Sequence, residues 1–191
     1  MRLKNLENIV LVQSDFSEVI LPKKLDVIFS DAALHWAHNH AQVFRHFWKM
    51  LKSDRTKGSQ LLIQCGSYGN LQTILALLRQ VMQNEFEKNF KNMKLPWHFG
   101  KPDDTSKLLG KIGFVNINVH LYNNSVNLCN REIYSKFVRS VIIKPLLVCI
   151  SKEKSRNRYL ELFLDEVEGR KSVNPKQETP CSLDHVTADK P

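Results

Sequence analysis

The chain has 191 residues, of which 42% are apolar, so it is long enough for one domain with a substantial buried core. Its formal charge of +9 suits an anionic partner but does not choose among nucleic acid, an acidic membrane surface and a carboxylate substrate. The N-terminal sequence lacks the apolar core of a signal peptide, and the longest apolar stretch, residues 137–150, is interrupted by Arg139, Lys144 and Pro145. Composition therefore predicts a soluble protein without a membrane span.

The cysteine and histidine spacings argue against a disulfide framework and a metal site. Four cysteines are scattered through the chain, and no two have the CxxC spacing of a zinc or redox motif. His35, His38, His40 and His46 do not share one face of a single helix, and no acidic or cysteine ligand completes a set. Reduced thiols in the cytoplasm are the simplest interpretation.

Two strands are predicted near the N-terminus. Residues 8–13 are a short β-branched run, and residues 25–30 are continuously apolar, as buried parallel strands tend to be. The first run leads into Ser14, Asp15 and Phe16, and the second continues into the sequence DAALHW. Ligands of α/β proteins bind just beyond the carboxyl ends of such strands, so both turns are candidate binding segments.

A helix, a third strand and a longer helix are predicted next. Asn39 can cap a helix that runs to about Leu51, with Gln42 in the capping-box position. Residues 60–65 predict the strand. An apolar stripe that begins at Leu71 predicts the amphipathic helix.

Further helices and one late strand are predicted in the second half of the chain. Asp103 or Asp104 can begin a helix that ends at Gly113. Residues 115–122 alternate apolar and polar side chains, which is typical of an antiparallel or edge strand. Two helical segments are predicted on either side of Pro145.

The order of these elements predicts an α/β fold. It is that of an incomplete doubly wound, Rossmann-like sheet, mainly parallel with a late antiparallel strand, and with helices on both faces. Residues 1–168 are expected to form this domain. Residues 169–191 contain little to bury and are expected to be a disordered tail.

Four segments in this order resemble the class I S-adenosylmethionine-dependent methyltransferases. QSDF resembles the third strand of that family with its acidic end, and LDVIFSDAALHW resembles the fourth strand and the loop after it. FRHFWKMLKSDRTKGSQLLIQ resembles the next helix, turn and strand, and LLGKIGFVNINVHLY resembles the closing helix and strand. The likeness extends over residues 6–167 and is greatest to trans-aconitate methyltransferase-like and related small-molecule carboxyl methyltransferases. It implies S-adenosylmethionine as the cofactor.

The resemblance implies that five residues contact the cofactor. Asp15 would accept a hydrogen bond from the adenine amine, and Phe16 would pack on the ring. Ser30, Asp31 and Ala32 would line the cofactor with their backbone groups, where small residues are needed. The alternatives are a turn aspartate that bonds its own backbone, a core phenylalanine, and a strand end that is merely small.

His35 and Trp36 are implied to shape the acceptor pocket. The imidazole can bond a carboxylate or a nucleophilic oxygen, and the indole can exclude water. Alternatively, Trp36 packs beneath the sheet and His35 bonds locally. Methyl transfer from a sulfonium needs mainly positioning and desolvation, so no catalytic base is assigned if the acceptor is a carboxylate.

The chain also departs from the family pattern. A first strand, a GxGxG loop and a second strand with an acidic end are not found ahead of QSDF, although these parts would hold the methionine carboxylate and the ribose. We therefore expect either a fragment of an enzyme, inactive by itself, or a chain whose sheet is completed by a partner chain.

Two functions from different classes follow from these observations. The first is an S-adenosylmethionine-dependent methyltransferase, or a fragment of one, that acts on a small molecule such as a carboxylic acid. The alternative is a non-catalytic methyltransferase-like binding or scaffold protein without a complete cofactor site. Nucleic-acid binding rests only on charge, on the basic turn at residues 52–57 and on the run SKEKSRNR, which lacks interleaved aromatic residues and is interpreted as a solvated helix face.

Overall fold

The computed structural model describes residues 8–53, 58–126, 131–169 and 179–191. Within these ranges, no helix is both long and apolar enough to cross a membrane. The elements follow in the order β1 (Val27–Asp31), a 3₁₀ turn (Leu34–Trp36), α1 (His40–Met50), β2 (Ser59–Gly66), α2 (Gln72–Glu85), α3 (Glu87–Phe90), α4 (Pro102–Ile112), β3 (Val115–Val126), α5 (Arg131–Phe137), a π segment (Val138–Ile143), a second 3₁₀ turn (Leu147–Cys149), α6 (Glu153–Gly169) and β4 (Thr179–Lys190).

The four strands form one mixed sheet in the order β1-β2-β4-β3. β1 and β2 are parallel, and β4 is antiparallel to both of its neighbours, so β3 has the same direction as β1 and β2. The predicted fold class, a mainly parallel sheet with a late antiparallel strand, is confirmed. The strand predicted at residues 115–122 as an antiparallel or edge strand is β3, which lies at the sheet edge and pairs antiparallel with β4. The strand that runs opposite to the other three described strands is β4, which the sequence analysis does not predict.

The expectation of a disordered tail over residues 169–191 is wrong for the last part of that range. Thr179–Lys190 is a strand in the interior of the sheet, paired with β2 on one side and β3 on the other. Among the side chains of this strand that the structure describes, those of Val186, Ala188 and Lys190 are buried. The sequence of the strand has no apolar run that would signal it, but the backbone of β4 is stabilised by hydrogen bonds from both neighbours. Residues 170–178 lie outside the described ranges.

The strand expected over residues 8–13 is also wrong. Residues 9–13 have no regular secondary structure and no strand pairing, and the side chains of Ile9, Val10, Leu11 and Val12 are exposed. β-branched composition favours a strand, but a strand persists only where a neighbour supplies hydrogen bonds. No described strand lies beside this segment.

Local signals fix the ends of the two helices that cover the sheet. Asn39 caps α1 as expected, since its side-chain oxygen accepts a hydrogen bond from the backbone N–H of Gln42 at 3.0 Å. α4 begins at Pro102 and is capped after Ile112 by Gly113, which adopts the left-handed conformation at φ +115°. The predicted helix and strand positions from residue 39 to residue 122 are confirmed within a few residues.

The buried apolar residues of the described ranges form two separate cores. One lies between the sheet and helices α1 and α4 and includes Phe44, Leu61, Leu109 and Val186. The other is helical, built by α2, α5, the π segment and α6, with fully buried residues such as Leu78, Tyr134 and Phe163 at its centre.

Lys190 connects the last strand to α1. Its buried Nζ donates hydrogen bonds to the carbonyl oxygens of Trp48 at 2.8 Å and Leu51 at 3.0 Å, and it lies 4.9 Å from the centre of the Trp48 ring. A cation at the carboxyl end of a helix satisfies carbonyls that have no partner within the helix.

Candidate functional site

The candidate site lies at the carboxyl ends of the parallel strands β1 and β2. The loop after β1 carries His35 and Trp36, and β2 ends at Gly66. A third loop, residues 94–101, reaches the same edge, because the backbone N–H of His98 donates to the carbonyl of His35 at 2.8 Å. The carboxyl edge of parallel strands is the usual ligand position in such sheets.

The loop after β2 is bonded to the third loop. The hydroxyl of Ser67 and the backbone N–H of Tyr68 both donate to the carbonyl of Gly100 at 2.9 Å. Lys101 places its Nζ 4.9 Å from the centre of the Tyr68 ring. These contacts hold residues from distant parts of the chain in a fixed relation, which the sequence alone does not reveal.

His35 is held by a backbone hydrogen bond. The N–H of Gly66 donates to Nδ1 of His35 at 3.2 Å, so the neutral imidazole carries its proton on Nε2. Partial burial lowers the pKa of His35 below its usual value, which keeps the ring neutral at pH 7. Nε2 has no hydrogen-bond partner among the described residues, so it can donate to a ligand. His35 therefore bonds locally, as one alternative expects, but only through one of its two nitrogens.

Aromatic rings surround this histidine. The centre of the His35 ring is 5.6 Å from that of Trp36 and 6.0 Å from that of Phe99. Trp97 continues the cluster, 5.7 Å from Trp36 and stacked on Phe99 at 6.4 Å. Trp36 is still 41% exposed, so it lines the open side of the cluster and does not pack beneath the sheet. These rings can exclude water from a bound molecule.

His40 is a buried member of the same region. Its Nε2 lies 3.2 Å from the carbonyl oxygen of Leu34, and its ring is edge-on to His98 with centres 4.5 Å apart. Burial lowers the pKa of His40 to about 4, and the neighbouring His98 contributes to the same shift. His40, His98 and Phe99 are not recognisable as site residues in the sequence, because they meet His35 only in the folded chain.

Acid should destabilise the protein through His40. A base whose pKa is lower in the folded state than in the unfolded state costs stability as the pH falls from about 6.5 to about 4, since the unfolded chain binds the proton first. We expect the free energy of unfolding in urea to fall by on the order of 3 kcal/mol over this range because of His40. In the His40→Gln variant, the free energy of unfolding should lose this part of its dependence on pH. The His38→Gln variant, changed at an exposed position, should keep it. An unchanged slope in His40→Gln would contradict the assignment.

The structure brings some of the predicted cofactor residues together. The residues that line one cavity of about 340 Å³ include Asp15, Phe16 and Trp36. A second cavity, of about 350 Å³, is lined by Phe16 and Ser30. Neither of these cavities is lined by Asp31 or Ala32, which lie at the end of β1 and on the loop between β1 and the 3₁₀ turn.

The carboxylate of Asp15 is engaged within its own turn. One oxygen accepts hydrogen bonds from the backbone N–H of Ser17 at 2.8 Å and from its hydroxyl at 2.5 Å. These bonds hold the pKa of Asp15 below its usual value, so the group is ionised at pH 7. The turn interpretation is therefore correct for one oxygen, and Oδ2 has no hydrogen-bond partner among the described residues.

The other candidates have structural roles. No group of three or more histidine, cysteine or acidic residues within the described ranges could hold a metal ion. In the basic run at the start of α6, Arg156 donates to the carbonyl of Ile150 at 2.6 Å and Arg158 pairs with Glu85 at 3.4 Å. Lys52 pairs with Asp26 at 2.6 Å, and the rest of its basic turn, residues 54–57, lies outside the described ranges.

Comparisons with known proteins were made by sequence and by structure. No protein-family model matches the chain. An uncharacterized methyltransferase of Schizosaccharomyces pombe is 32% identical over 105 residues, which are 52% of this chain and 38% of that protein. The chain thus spans well under half the length of this curated relative.

Solved methyltransferase structures have the same fold. Loganic acid methyltransferase with S-adenosylhomocysteine superposes with a TM-score of 0.63 at 15% identity, over 94% of this chain and 66% of that one. A putative methyltransferase of Bacillus halodurans superposes with a TM-score of 0.53 at 15% identity, over 95% of this chain and 77% of that one. The protein therefore has the class I S-adenosylmethionine-dependent methyltransferase fold.

Proposed function

We propose that this chain provides the adenine-side cofactor surface and the acceptor pocket of an S-adenosylmethionine-dependent methyltransferase that acts on a small-molecule carboxylate. The observation that carries the proposal is the cavity at the carboxyl edge of the sheet, where Asp15, Phe16 and Trp36 meet beside His35. The methyltransferase fold and the methyltransferase relative support it.

The residues around this cavity fit the adenine end of the cofactor. An ionised carboxylate with one unengaged oxygen can accept from an exocyclic amine, and Phe16 offers an apolar wall. Ser30, Asp31 and Ala32 remain candidates for backbone contacts with the cofactor. When bound, S-adenosylmethionine supplies an electrophilic methyl group on a sulfonium. The residues of this chain bind the cofactor and the acceptor, orient them and exclude water.

The state of His35 favours an acceptor that is already ionised. A general base must be able to take a proton, but Nδ1 of His35 already accepts from Gly66, and Nε2 already carries a proton. His35 therefore suits hydrogen-bond donation to an oxygen of the acceptor, and the indole N–H of Trp36 is a second donor. A carboxylate accepts such bonds and needs no base before methylation.

The proposal also includes a methyltransferase subgroup and a cellular location. The acceptor class suggests the trans-aconitate-like and related carboxyl methyltransferases as the subgroup. The proposed location is the cytoplasm. One solved structure with this fold is named for loganic acid, which agrees with an acid acceptor. The net charge of +9 also favours anionic acceptors.

Calorimetric titration of the 191-residue chain with S-adenosylhomocysteine tests the cofactor part. We expect micromolar affinity that falls at least tenfold in Asp15→Ala, because the adenine amine loses its acceptor. Glu161→Ala, at an exposed position on α6, should bind as the unchanged protein does. A folded chain that does not bind would instead support the non-catalytic scaffold function.

Transfer of a labelled methyl group to a panel of carboxylic acids tests the acceptor part. If the chain binds cofactor, His35→Ala should weaken acceptor binding and leave the affinity for S-adenosylhomocysteine nearly unchanged. Equal rates with acids and with neutral alcohols would contradict the carboxylate assignment.

A further inference from the structure

Basic residues are concentrated in the helical part of the chain, where the π segment leads through the second 3₁₀ turn into α6. Residues 136–158 contain seven lysine and arginine residues and one glutamate, which is a net charge of +6 within 23 residues. The whole chain has a formal charge of +9, so this segment holds most of the excess. A charge concentrated in this way suits an extended anionic surface.

Four of these cations are free to meet such a surface. Lys136 and Arg158 form ion pairs with glutamates, and Arg156 donates to a backbone carbonyl, so these three are already engaged. The others are exposed and have no acidic partner in the described part of the chain: Arg139, Lys144, Lys152 and Lys154.

Hydrogen bonds bring the free cations of two elements side by side. Nη2 of Arg139 donates to Oδ1 of Asn157 at 3.4 Å, which joins the π segment to the start of α6. The backbone N–H of Lys144 donates to the carbonyl of Arg139 at 3.1 Å, so Lys144 lies about one turn further along the π segment. Lys154 lies three residues before Asn157, on the same face of α6. These residues therefore form one basic patch.

Exposed apolar side chains lie within the same segment. Val141 is 46% exposed, and Val148, in the turn between the π segment and α6, is 78% exposed. Phe137 is the one aromatic residue of the segment and is partly buried. Surfaces that bind single-stranded nucleic acid stack bases on exposed aromatic rings, whereas membrane-binding surfaces combine cations with apolar side chains. The composition of this patch therefore favours a membrane over a nucleic acid.

We propose that residues 136–158 bind the surface of a membrane that contains anionic lipids. Arg139, Lys144, Lys152 and Lys154 contact the lipid headgroups, and Val148 enters the interface between headgroups and acyl chains. The contact is peripheral, and no segment crosses the bilayer. It goes beyond the proposed function, because it involves neither the cofactor nor the acceptor.

Sedimentation of the 191-residue chain with lipid vesicles tests this contact. We expect binding to phosphatidylcholine vesicles with about 30% phosphatidylserine at about 0.1 M salt, and about tenfold weaker binding at about 0.5 M salt, because salt screens the attraction. Vesicles of phosphatidylcholine alone should bind at least about tenfold more weakly. Equal binding to the two kinds of vesicle would overturn the proposal.

Two double variants of equal net charge locate the contact. Lys144→Glu/Lys154→Glu should weaken binding to the anionic vesicles by about twentyfold or more, since each cation near an anionic surface contributes about fivefold. The control, Lys107→Glu/Lys111→Glu, makes the same change of charge at exposed positions on α4 and should bind nearly as the unchanged protein does. Equal losses in the two variants would mean that net charge alone drives binding, and the assignment of the patch would be wrong.

A serine at position 148 tests the apolar part of the contact. Val148→Ser should weaken binding to the anionic vesicles by about threefold or more, because less apolar area enters the interface. The control, Val115→Ser, changes an exposed valine on β3 and should have no effect. An unchanged affinity of Val148→Ser would contradict the proposed insertion.

A single-stranded RNA serves as the competing ligand. We expect it to bind more weakly than the anionic vesicles. RNA that binds more tightly than the vesicles, and that Lys144→Glu/Lys154→Glu no longer binds, would assign the patch to nucleic acid and overturn the proposal. None of these measurements needs a cofactor, so their outcome is independent of the titration with S-adenosylhomocysteine.

Discussion

Removal of residues 179–191 is expected to abolish the cooperative unfolding of the sheet. β4 lies between β2 and β3 and supplies the described hydrogen-bonding neighbours of β3 and one side of β2. Without it, β3 has no strand partner in the described part of the chain, and the buried residues Leu61 and Ile63 of β2 lose a neighbouring strand. A thermal unfolding curve followed by fluorescence should lose its sharp transition. Part of the helical circular dichroism should remain, because the second core lies within α2, α5 and α6.

Point substitutions on β4 provide a matched test that keeps the chain length. Val186 is 1% exposed and faces the core, whereas Thr187 is on the exposed face. Val186→Asp should lower the free energy of unfolding by about 4 kcal/mol, since it buries an unpaired charge. Thr187→Asp should cost less than about 1 kcal/mol. Equal, small effects of the two variants would mean that residues 179–190 are not an interior strand.

Substitution of Gly66 by alanine is expected to disrupt the candidate site. A Cβ at this position would lie 2.4 Å from Nδ2 of Asn70 and 2.8 Å from Cε1 of Phe99, which is closer than atoms can approach. We expect a loss of about 1–3 kcal/mol in the free energy of unfolding, with displacement of the N–H that bonds His35. The ring-nitrogen chemical shifts of His35 should report the altered tautomer.

Gly110→Ala is the control for this substitution. Gly110 lies inside α4, and a Cβ at this position would meet only the Ile117 side chain, at an ordinary distance of 3.6 Å. Alanine there should raise the free energy of unfolding by about 0.5–1 kcal/mol, because it reduces the entropy of the unfolded chain and favours the helix. If the Gly66→Ala variant were as stable as the Gly110→Ala variant, that result would contradict the close packing described around Gly66.

The parts of the fold that can be predicted from sequence are those with local signals. Asn39 and Gly113 mark helix ends by their own chemistry, and β2 is recognisable because its side chains are apolar enough for an interior strand. β4 escapes prediction because its sequence, TPCSLDHVTADK, contains no run of apolar residues, and its backbone is stabilised by neighbours on both sides. The segment at residues 8–13 shows the reverse, with strand-like composition but no described neighbour.

The residues of the candidate site also fall into those that the sequence identifies and those that only the folded chain brings together. Asp15, His35 and Trp36 can be identified because they follow apolar runs, and the position after a strand is itself informative. Phe99 and His98 cannot be identified, since they follow no strand and reach the site through the bond between the His98 amide and the His35 carbonyl. The proton position on His35 depends on the Gly66 amide, a contact across 31 residues of sequence.

The position of β4 also sets the order in which the sheet can form. β4 is synthesised after β1, β2 and β3, yet it lies between β2 and β3. Until it emerges from the ribosome, β2 has an open side and β3 has no described neighbour at all. The chain therefore passes through a state in which α4 and β3 are complete but the sheet is not, and its unpaired edges are exposed to other chains. We expect the slow step of refolding to be the insertion of β4, because it closes the contacts of longest sequence separation in the sheet.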